Sequence, residues 1–364
     1  MAQIFKKRDG KKHREVQTFD RRQAANAWIK KREAELARPG AMLGVSQNKR
    51  SPRLADAIDR YIAESRRKMG RTKTQVLGAI KQYDIADLAC AEIRSQDIVE
   101  FAQELGASRK PQTVSNYLSH LSSVFKIARP AWGYALDEQA MKDAFAVAAR
   151  LGVTGRGRMR NRRPTLDELD ALMKHFQAIR KRRPSSIPMH VISAFAIFST
   201  RRQEEIIRIA WNDLEAEGKR VLVRDMKNPG EKIGNDVLCD LPDEALRIIQ
   251  AMPRRAVEIF PYSTDAICAA FTRACYFLGI NTKEMPDEQR LHFHDLRHEG
   301  ISRLFELGWT IPHVAAVSGH RSWKSLQRYA HLRQIGDKYA GWPWLDIVSL
   351  ELEAASKKMA ASFR

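Results

Sequence analysis

Long apolar runs are missing from this 364-residue chain. No stretch reaches the length of a membrane span, and the basic segment from Met1 to Gly10 lacks the apolar core of a signal peptide. A membrane protein is thereby excluded, and a soluble, cytoplasmic one is expected. Cysteine is scarce too. Cys90, Cys239, Cys268 and Cys275 are scattered and make no CxxC pair, which excludes both a disulfide framework and a cysteine-based zinc site. Internal repeats and low-complexity tracts are absent. Acidic residues are outnumbered, 43 against 63 Lys and Arg, leaving a formal charge of +20. Such an excess favours a polyanionic partner, because basic side chains displace the counterions condensed on phosphate. Composition alone also fits a basic but inert surface. A hydrophobic fraction of 44% is enough for packed cores, and the length suits two or three domains.

The first seam lies near residue 40. Residues 1–40 begin with Lys6, Lys7, Arg8, Lys11 and Lys12 around Asp9-Gly10, a dipeptide that favours a two-residue hairpin turn. A helix with Ala24, Ala25, Trp28 and Ile29 on one face is predicted after it. Ala41 to Ser51 has linker composition. Residues 51–150 read as a compact helical domain. Leu54, Ile58, Tyr61 and Ile62 share one face, Ser95 is placed to cap a further helix, and Val114 to Ala128 carry apolar residues at helical spacing. The opposite side of that last helix offers Ser115 and Asn116, short polar groups suited to a phosphate backbone. Between Thr154 and Pro164 stand Arg156, Arg158, Arg160, Arg162 and Arg163 with no acidic residue, a strip expected to follow phosphates across a duplex. Thr165 and Glu168 form a capping box that opens the largest segment, 164–345. It reads as helical with one β-hairpin, Arg220–Asp225 and Asp236–Leu241 flanking Met226–Asn235. A tail helix in 346–364 has Ile347, Leu350 and Ala354 on one face, with Trp342 and Trp344 as packing anchors before it.

The histidine-rich run from Leu291 to His298 invites a metal reading, since His294 and His298 are four residues apart. A zinc-protease helix needs glutamate directly after its first histidine, and Asp295 stands there without a third ligand nearby. No metal or other cofactor is expected. Five short boxes carry more. Arg202 is followed three residues later by Glu205. Lys227 comes at the opening of the hairpin turn. His294 and Arg297 make a His-x-x-Arg box. Ser318-Gly319-His320 comes next, and Tyr329 lies nine residues beyond His320.

In that order and spacing the boxes resemble the tyrosine recombinase, or phage integrase, family. The likeness is strong over about 165–335 and looser before it. It implies a mainly α, multi-domain protein with a small β-hairpin sheet in its catalytic domain, closing as a C-shaped clamp around double-stranded DNA. It further implies Tyr329 as nucleophile, Arg202 and Arg297 as bidentate phosphate clamps, and His320 as a hydrogen-bond donor to phosphate. His294 would be proton acceptor, Lys227 general acid, and Glu205 the holder of an arginine. A 3′-phosphotyrosine link conserves bond energy, so no nucleotide or metal is called for. Phosphodiester transfer builds charge on nonbridging oxygens, and a phenol of ordinary pKa about 10 needs a cationic site and a proton acceptor to attack. His292, His298 and His331 are expected to be structural or supporting. Two features depart from the pattern. Thr200 stands where the family has glycine, and a long hairpin loop makes Lys232 a competitor of Lys227.

The resemblance includes shufflon-type DNA invertases, most closely in Leu291–His298 and Ser318–Ser322. Integration or excision of a mobile element is favoured over inversion, because the basic N-terminal module looks like an arm-type DNA-binding domain. A homo-tetramer on DNA is implied, docked through the tail helix, with room for accessory DNA-bending proteins and a nucleoid location. An inactive DNA-binding regulator of the same fold and a nicking topoisomerase are the alternatives; competent residues at all six catalytic positions weigh against the first.

Overall fold

A computed structural model describes residues 2–8, 11–17, 22–37, 52–66, 69–157, 160–226, 234–329 and 331–362. The chain divides into two compact units, 1–157 and 158–364, mainly helical with two small antiparallel sheets. Among the described residues no helix is long and apolar enough to cross a membrane.

The first unit opens with the expected hairpin and helix. Strands β1 (Ala2–Arg8) and β2 (Lys11–Gln17) pair antiparallel, with Ala2 opposite Gln17 and Arg8 opposite Lys11. Helix α1 (Arg22–Ala37) packs on β1, whose Ala2 and Ile4 are buried. Lys6, Lys7, Arg8, Lys11 and Lys12 all stand on the paired strands; the Asp9-Gly10 turn and the linker from Ala41 to Ser51 lie outside the described residues. Five helices follow: α2 (Leu54–Glu64), α3 (Arg71–Ile80), α4 (Ser95–Gly106), α5 (Pro111–Trp132) and α6 (Glu138–Arg150). Their core holds Leu54, Ile58, Leu77, Ile98, Phe101 and the α5 stripe Val114, Leu118, Leu121, Val124, Phe125 and Ala128. Ser95 is the first helical residue rather than the cap. Arg94 takes the cap position, its N–H donating to the Asp97 carboxylate at 2.7 Å.

In the second unit the Thr165 capping box starts α7 (Leu166–Arg182) as expected, with Glu168 N–H donating to the Thr165 hydroxyl at 3.1 Å. Helix α8 (Met189–Ser199) is buried along its whole length, which its nearly unbroken apolar sequence requires. After the short α9 (Gln203–Ile206) comes a three-stranded sheet of β3 (Leu214–Glu215), β4 (Arg220–Val223) and β5 (Val237–Asp240). The expected hairpin is present but shorter, and β3 is an added edge strand. Main-chain pairing between Met226 and Asn235 closes the base of its loop at 2.8 Å. The remaining helices are α10 (Asp243–Ala251), α11 (Thr264–Phe277), α12 (Asp295–Glu306), α13 (Ile311–Ser318) and α14 (Trp344–Ser362).

The tail helix forms as expected, and Trp342 and Trp344 anchor it. Trp344, Val348 and Leu352 of α14 are buried in the core of their own unit, and the Trp342 and Trp344 indoles both donate to Asp170, at 2.8 and 3.0 Å. The stripe predicted to be apolar and docked is the other face: Leu350 is 62% exposed. One helix carries both stripes, and only burial decides between them.

Helices α12 and α8 touch at Gly300. A Cβ there would fall far inside van der Waals contact with the Ile197 carbonyl oxygen, so the two helices meet backbone to backbone. Gly300→Ala must push them apart, at a cost of about 2–3 kcal/mol. A thermal melt should show this as a Tm lower by roughly 5–10 °C.

Candidate active site

The site grows from the two ends joined at that contact. Helix α8 stops at Thr200, which adopts a left-handed conformation with φ 57° and ψ 19°. This is the turn a glycine makes without cost, so the local backbone is the one the family's glycine would supply, and a β-branched residue holds it under strain. Its effect is to aim the Thr200 carbonyl at Arg297, whose Nη1 donates to it. The chain then passes Arg201 and Arg202 into α9, which carries Glu205.

Glu205 is the hub, with only 1% of its surface exposed. Arg202 Nη1 binds Oε1 at 2.6 Å, and the Arg202 N–H donates to Oε2 at 3.0 Å. Arg297 Nη1 lies 3.5 Å from Oε2, and Arg201 Nη1 lies 3.9 Å away. Burial by itself would raise the Glu205 pKa, but the charges of Arg201, Arg297 and Arg202 outweigh it and hold the carboxyl at about 2. The two adjacent arginines have different fates. Arg201 is fully buried and donates to the carbonyls of Ser199 and Val317, while Arg202 keeps 26% of its side chain exposed.

Arg297 sits in the first turn of α12. Burial lowers its pKa and Glu205 opposes this, leaving the guanidinium charged at neutral pH. Its Nη2 donates to the Ser318 carbonyl at 3.0 Å and reaches His320 Nε2 at 3.4 Å. Gly319, at φ 70°, turns the chain after α13 so that His320 faces this cluster. His320 Nδ1 pairs with the Ser318 hydroxyl at 2.7 Å. Burial, then Arg297 and Arg202, pushes its pKa down to about 3, so it is neutral. His294, at the N-terminus of α12, is likewise held down to about 4 by burial and by Arg297 and Arg202.

Tyr329 lies in a short 3-10 turn, Gln327–Tyr329. Its ring stacks on Phe305 at 6.0 Å with 12° between planes, and the Arg328 guanidinium stands 5.3 Å over it. The phenol is hydrogen-bonded to Nδ1 of His298, the residue directly after Arg297. Burial raises the phenol pKa, partly offset by Arg328, Arg297 and Arg163. Tyr329 lines a cavity of about 150 Å³ with Arg160, His298, Arg328 and Leu332. Two guanidinium groups, a neutral imidazole and a phenol thus meet in one unit, although they come from four separate stretches of sequence.

Comparison with known proteins agrees with this grouping. The model of the phage integrase family matches residues 162–334. The shufflon-specific DNA recombinase of Escherichia coli is 30% identical over 292 residues, covering 77% of this chain and 69% of that protein.

This chain belongs to the phage integrase family of tyrosine recombinases.

A putative integrase/recombinase of Haemophilus influenzae is 23% identical over 75% of this chain and 84% of its own. The fold is that of lambda integrase in a dimer bound to a COC′ core site: TM-score 0.58, 19% identity, 85% of this chain and 87% of that one. It is equally that of the Tn1549 transposon integrase with transposon right end DNA: TM-score 0.58, 13% identity, 76% and 94% covered. The protein is therefore a tyrosine-type site-specific recombinase, an enzyme of DNA recombination.

Not every residue singled out in the recombinase sequence falls at this cluster. Lys227 and Lys232 lie outside the described residues. The preceding Met226 packs beside Gly319, next to His320. The arginine strip turns largely inward, against the expectation of phosphate contact. Arg163 grips Glu299 at 2.7 Å and Glu306 at 2.6 Å; Arg160 pairs with Asp295 at 2.9 Å; Arg162 binds Glu168 and the Gln289 carbonyl. Buried carboxylates demand such partners, which makes the strip a brace against α12. Arg156 is exposed, and Arg158 lies outside the described residues. Ser115 also turns inward, its hydroxyl meeting the Gly155 main chain at 3.0 Å, whereas Asn116 is exposed. The residue that sequence reading missed is His298. Its only signal is position, adjacent to Arg297 and one helical turn from His294.

Proposed function

We propose that this recombinase cuts and rejoins DNA through a 3′-phosphotyrosine link to Tyr329, integrating or excising a mobile element. The observation that carries the reading is the convergence of Arg202, Arg297 and His320 around buried Glu205, with the Tyr329 phenol hydrogen-bonded to His298, the residue next to Arg297. A scissile phosphate placed against Arg202 and Arg297 has its nonbridging oxygens neutralised by two planar donors. Glu205 fixes the Arg202 guanidinium before the DNA arrives. With the Ser318 hydroxyl donating to His320 Nδ1, the neutral ring carries its proton on Nε2, which can donate to phosphate once Arg297 turns to the ligand. The Tyr329 oxygen gives its proton to a neighbouring neutral imidazole as it attacks phosphorus, the bond to the 5′ oxygen breaks, and Lys227 supplies that oxygen's proton. His294, neutral and beside Arg297, assists at the phosphate.

The N-terminal hairpin supports integration. Its register sets Lys7 opposite Lys12 and Arg8 opposite Lys11, so residues of like charge are paired in the strand ladder. Such pairs cost stability unless an anion lies over them, and a DNA backbone is such an anion. The α14 stripe of exposed Leu350 and Ala354 beside half-buried Ile347 is the surface we assign to a second protomer in a tetramer on DNA, in the cytoplasm; directional integration would then call on accessory DNA-bending proteins. Inversion is the second reading, favoured by the 30% identity to the shufflon-specific recombinase.

The test is to express the chain in cells, denature rapidly, isolate protein with attached DNA, and sequence both. The expected result is a peptide containing Tyr329 linked to DNA from discrete sites. Inverted site pairs within one locus would mark inversion; joined element ends would mark integration. An adduct on any other side chain, or none, sinks the reading.

A further inference from the structure

We infer that His298 is a catalytic residue of this recombinase, the group that takes the proton from Tyr329 as its oxygen attacks phosphorus. The inference rests on Tyr329 being the nucleophile and goes one step further, since it moves the role of proton acceptor from His294 to its neighbour one turn along α12. Geometry separates the two. His298 Nδ1 is hydrogen-bonded to the Tyr329 phenol, whereas His294 meets His298 edge to face, ring centroids 4.9 Å apart and planes at 87°. Among the described residues His294 has no hydrogen bond to Tyr329.

A neutral imidazole at this hydrogen bond accepts through Nδ1 and carries its own proton on Nε2. Its surroundings keep it neutral. Burial, then His294, Arg328, Arg297 and Arg160, hold its pKa down to about 3. Those groups come from each element around the ring: His294 and Arg297 from α12, Arg328 from the tyrosine turn, Arg160 from the segment before α7. The phenol is meanwhile held up by burial, so at rest the proton stays on oxygen. A phosphate bound at Arg202 and Arg297 adds negative charge near both rings and offsets the cations that suppress His298. Its basicity rises only then, which couples deprotonation to DNA binding. The Tyr329 O–H bond breaks, the proton passes to Nδ1, the O–P bond forms and the P–O5′ bond breaks. Stacking on Phe305 orients the phenol ring at rest, and the whole side chain swings from the imidazole toward phosphorus for attack.

The test measures single-turnover cleavage of DNA recovered from the cellular adduct, comparing wild type, His298→Ala, His298→Asn, His294→Asn and Tyr329→Phe. His298→Ala is expected to cleave about 10²–10³-fold more slowly, the usual range for losing a proton-transfer group. Its affinity for the same DNA should change little. Added imidazole should restore at least about tenfold of the lost rate, more strongly above pH 7, where free imidazole is neutral. A residue with a structural role alone gives no such rescue. His298→Asn keeps a hydrogen-bonding side chain without a basic nitrogen, so it should fold and remain slow even if the alanine variant is unstable. DNA with a bridging 5′ sulfur, which leaves without a proton, should not rescue either variant. Near-normal cleavage by His298→Asn, with Tyr329→Phe inactive, overturns this inference alone. Adduct formation by Tyr329→Phe overturns the nucleophile assignment beneath it.

Discussion

Tyr329→Phe is expected to abolish covalent adduct formation, with a loss on the order of 10⁴-fold or more, as when an enzyme loses its attacking atom. Only one oxygen is removed. The ring keeps its stacking on Phe305 and its place under Arg328, so the turn Gln327–Tyr329 should persist. The deletion leaves His298 Nδ1 without its phenol partner, which costs about 1–2 kcal/mol for a neutral, partly buried acceptor. That amounts to a Tm lower by roughly 2–6 °C, far too little to explain a dead enzyme. Arg202, Arg297 and His320 stay in place, so binding to the recombination site should be retained. Denaturing gels of protein incubated with site DNA, beside a binding titration of the same samples, give both readings. An adduct that survives would mean another side chain attacks; lost binding together with lost cleavage would mean the phenol organises the site instead.

The unequal legibility of this protein has a physical basis. Boxes such as His294-x-x-Arg297 and Ser318-Gly319-His320 were readable because each needs only a local turn or one helix face, which short sequence dictates. The fold class was readable for a similar reason: the α5 stripe from Val114 to Ala128 and the Thr165 capping box are periodic or local signals. The partner of Tyr329 was not. His294 and His298 lie one turn apart, and which meets the phenol depends on how α12 seats on α8 at Gly300, a contact made by the absence of a side chain. The arginine strip misled because its acceptors are remote; Glu299 stands 136 residues from Arg163. Composition shows a positive strip and cannot show that buried carboxylates already hold two of its guanidinium groups and half-buried Glu168 a third. In the tail, two apolar stripes share one helix: the core takes Val348 and Leu352, and the stripe with Leu350, expected to face a second protomer, stays at the surface. Thr200 is the reverse case. The sequence marked a departure from glycine, yet the backbone kept the left-handed turn and paid in strain.

Glu205→Ala should be the most destabilising single change at the site, by about 3–5 kcal/mol, because it leaves Arg201, Arg202 and Arg297 facing one another with no counter-charge. The pH dependence of the wild type follows from the same carboxylate. Its folded pKa is about 2, below the ordinary 4.5, so the group stabilises the fold fully above pH 4.5 and progressively less as pH falls toward 2. A shift of that size corresponds to roughly 3 kcal/mol at neutral pH. Glu205→Gln keeps the shape and an oxygen for the Arg202 N–H but removes the charge, and it should lose about 2–3 kcal/mol at pH 7 with little further loss between pH 4.5 and 3 from this position. Urea unfolding of both proteins across that range tests the assignment. Arg202 and Arg297 would also be released from Glu205, so the glutamine variant should bind inorganic phosphate more tightly while cleaving DNA more slowly. A glutamine variant with wild-type stability at pH 7 and an unchanged acid limb would show that Arg202 and Arg297 are held by something other than this carboxylate, and the preorganised clamp would have to be abandoned.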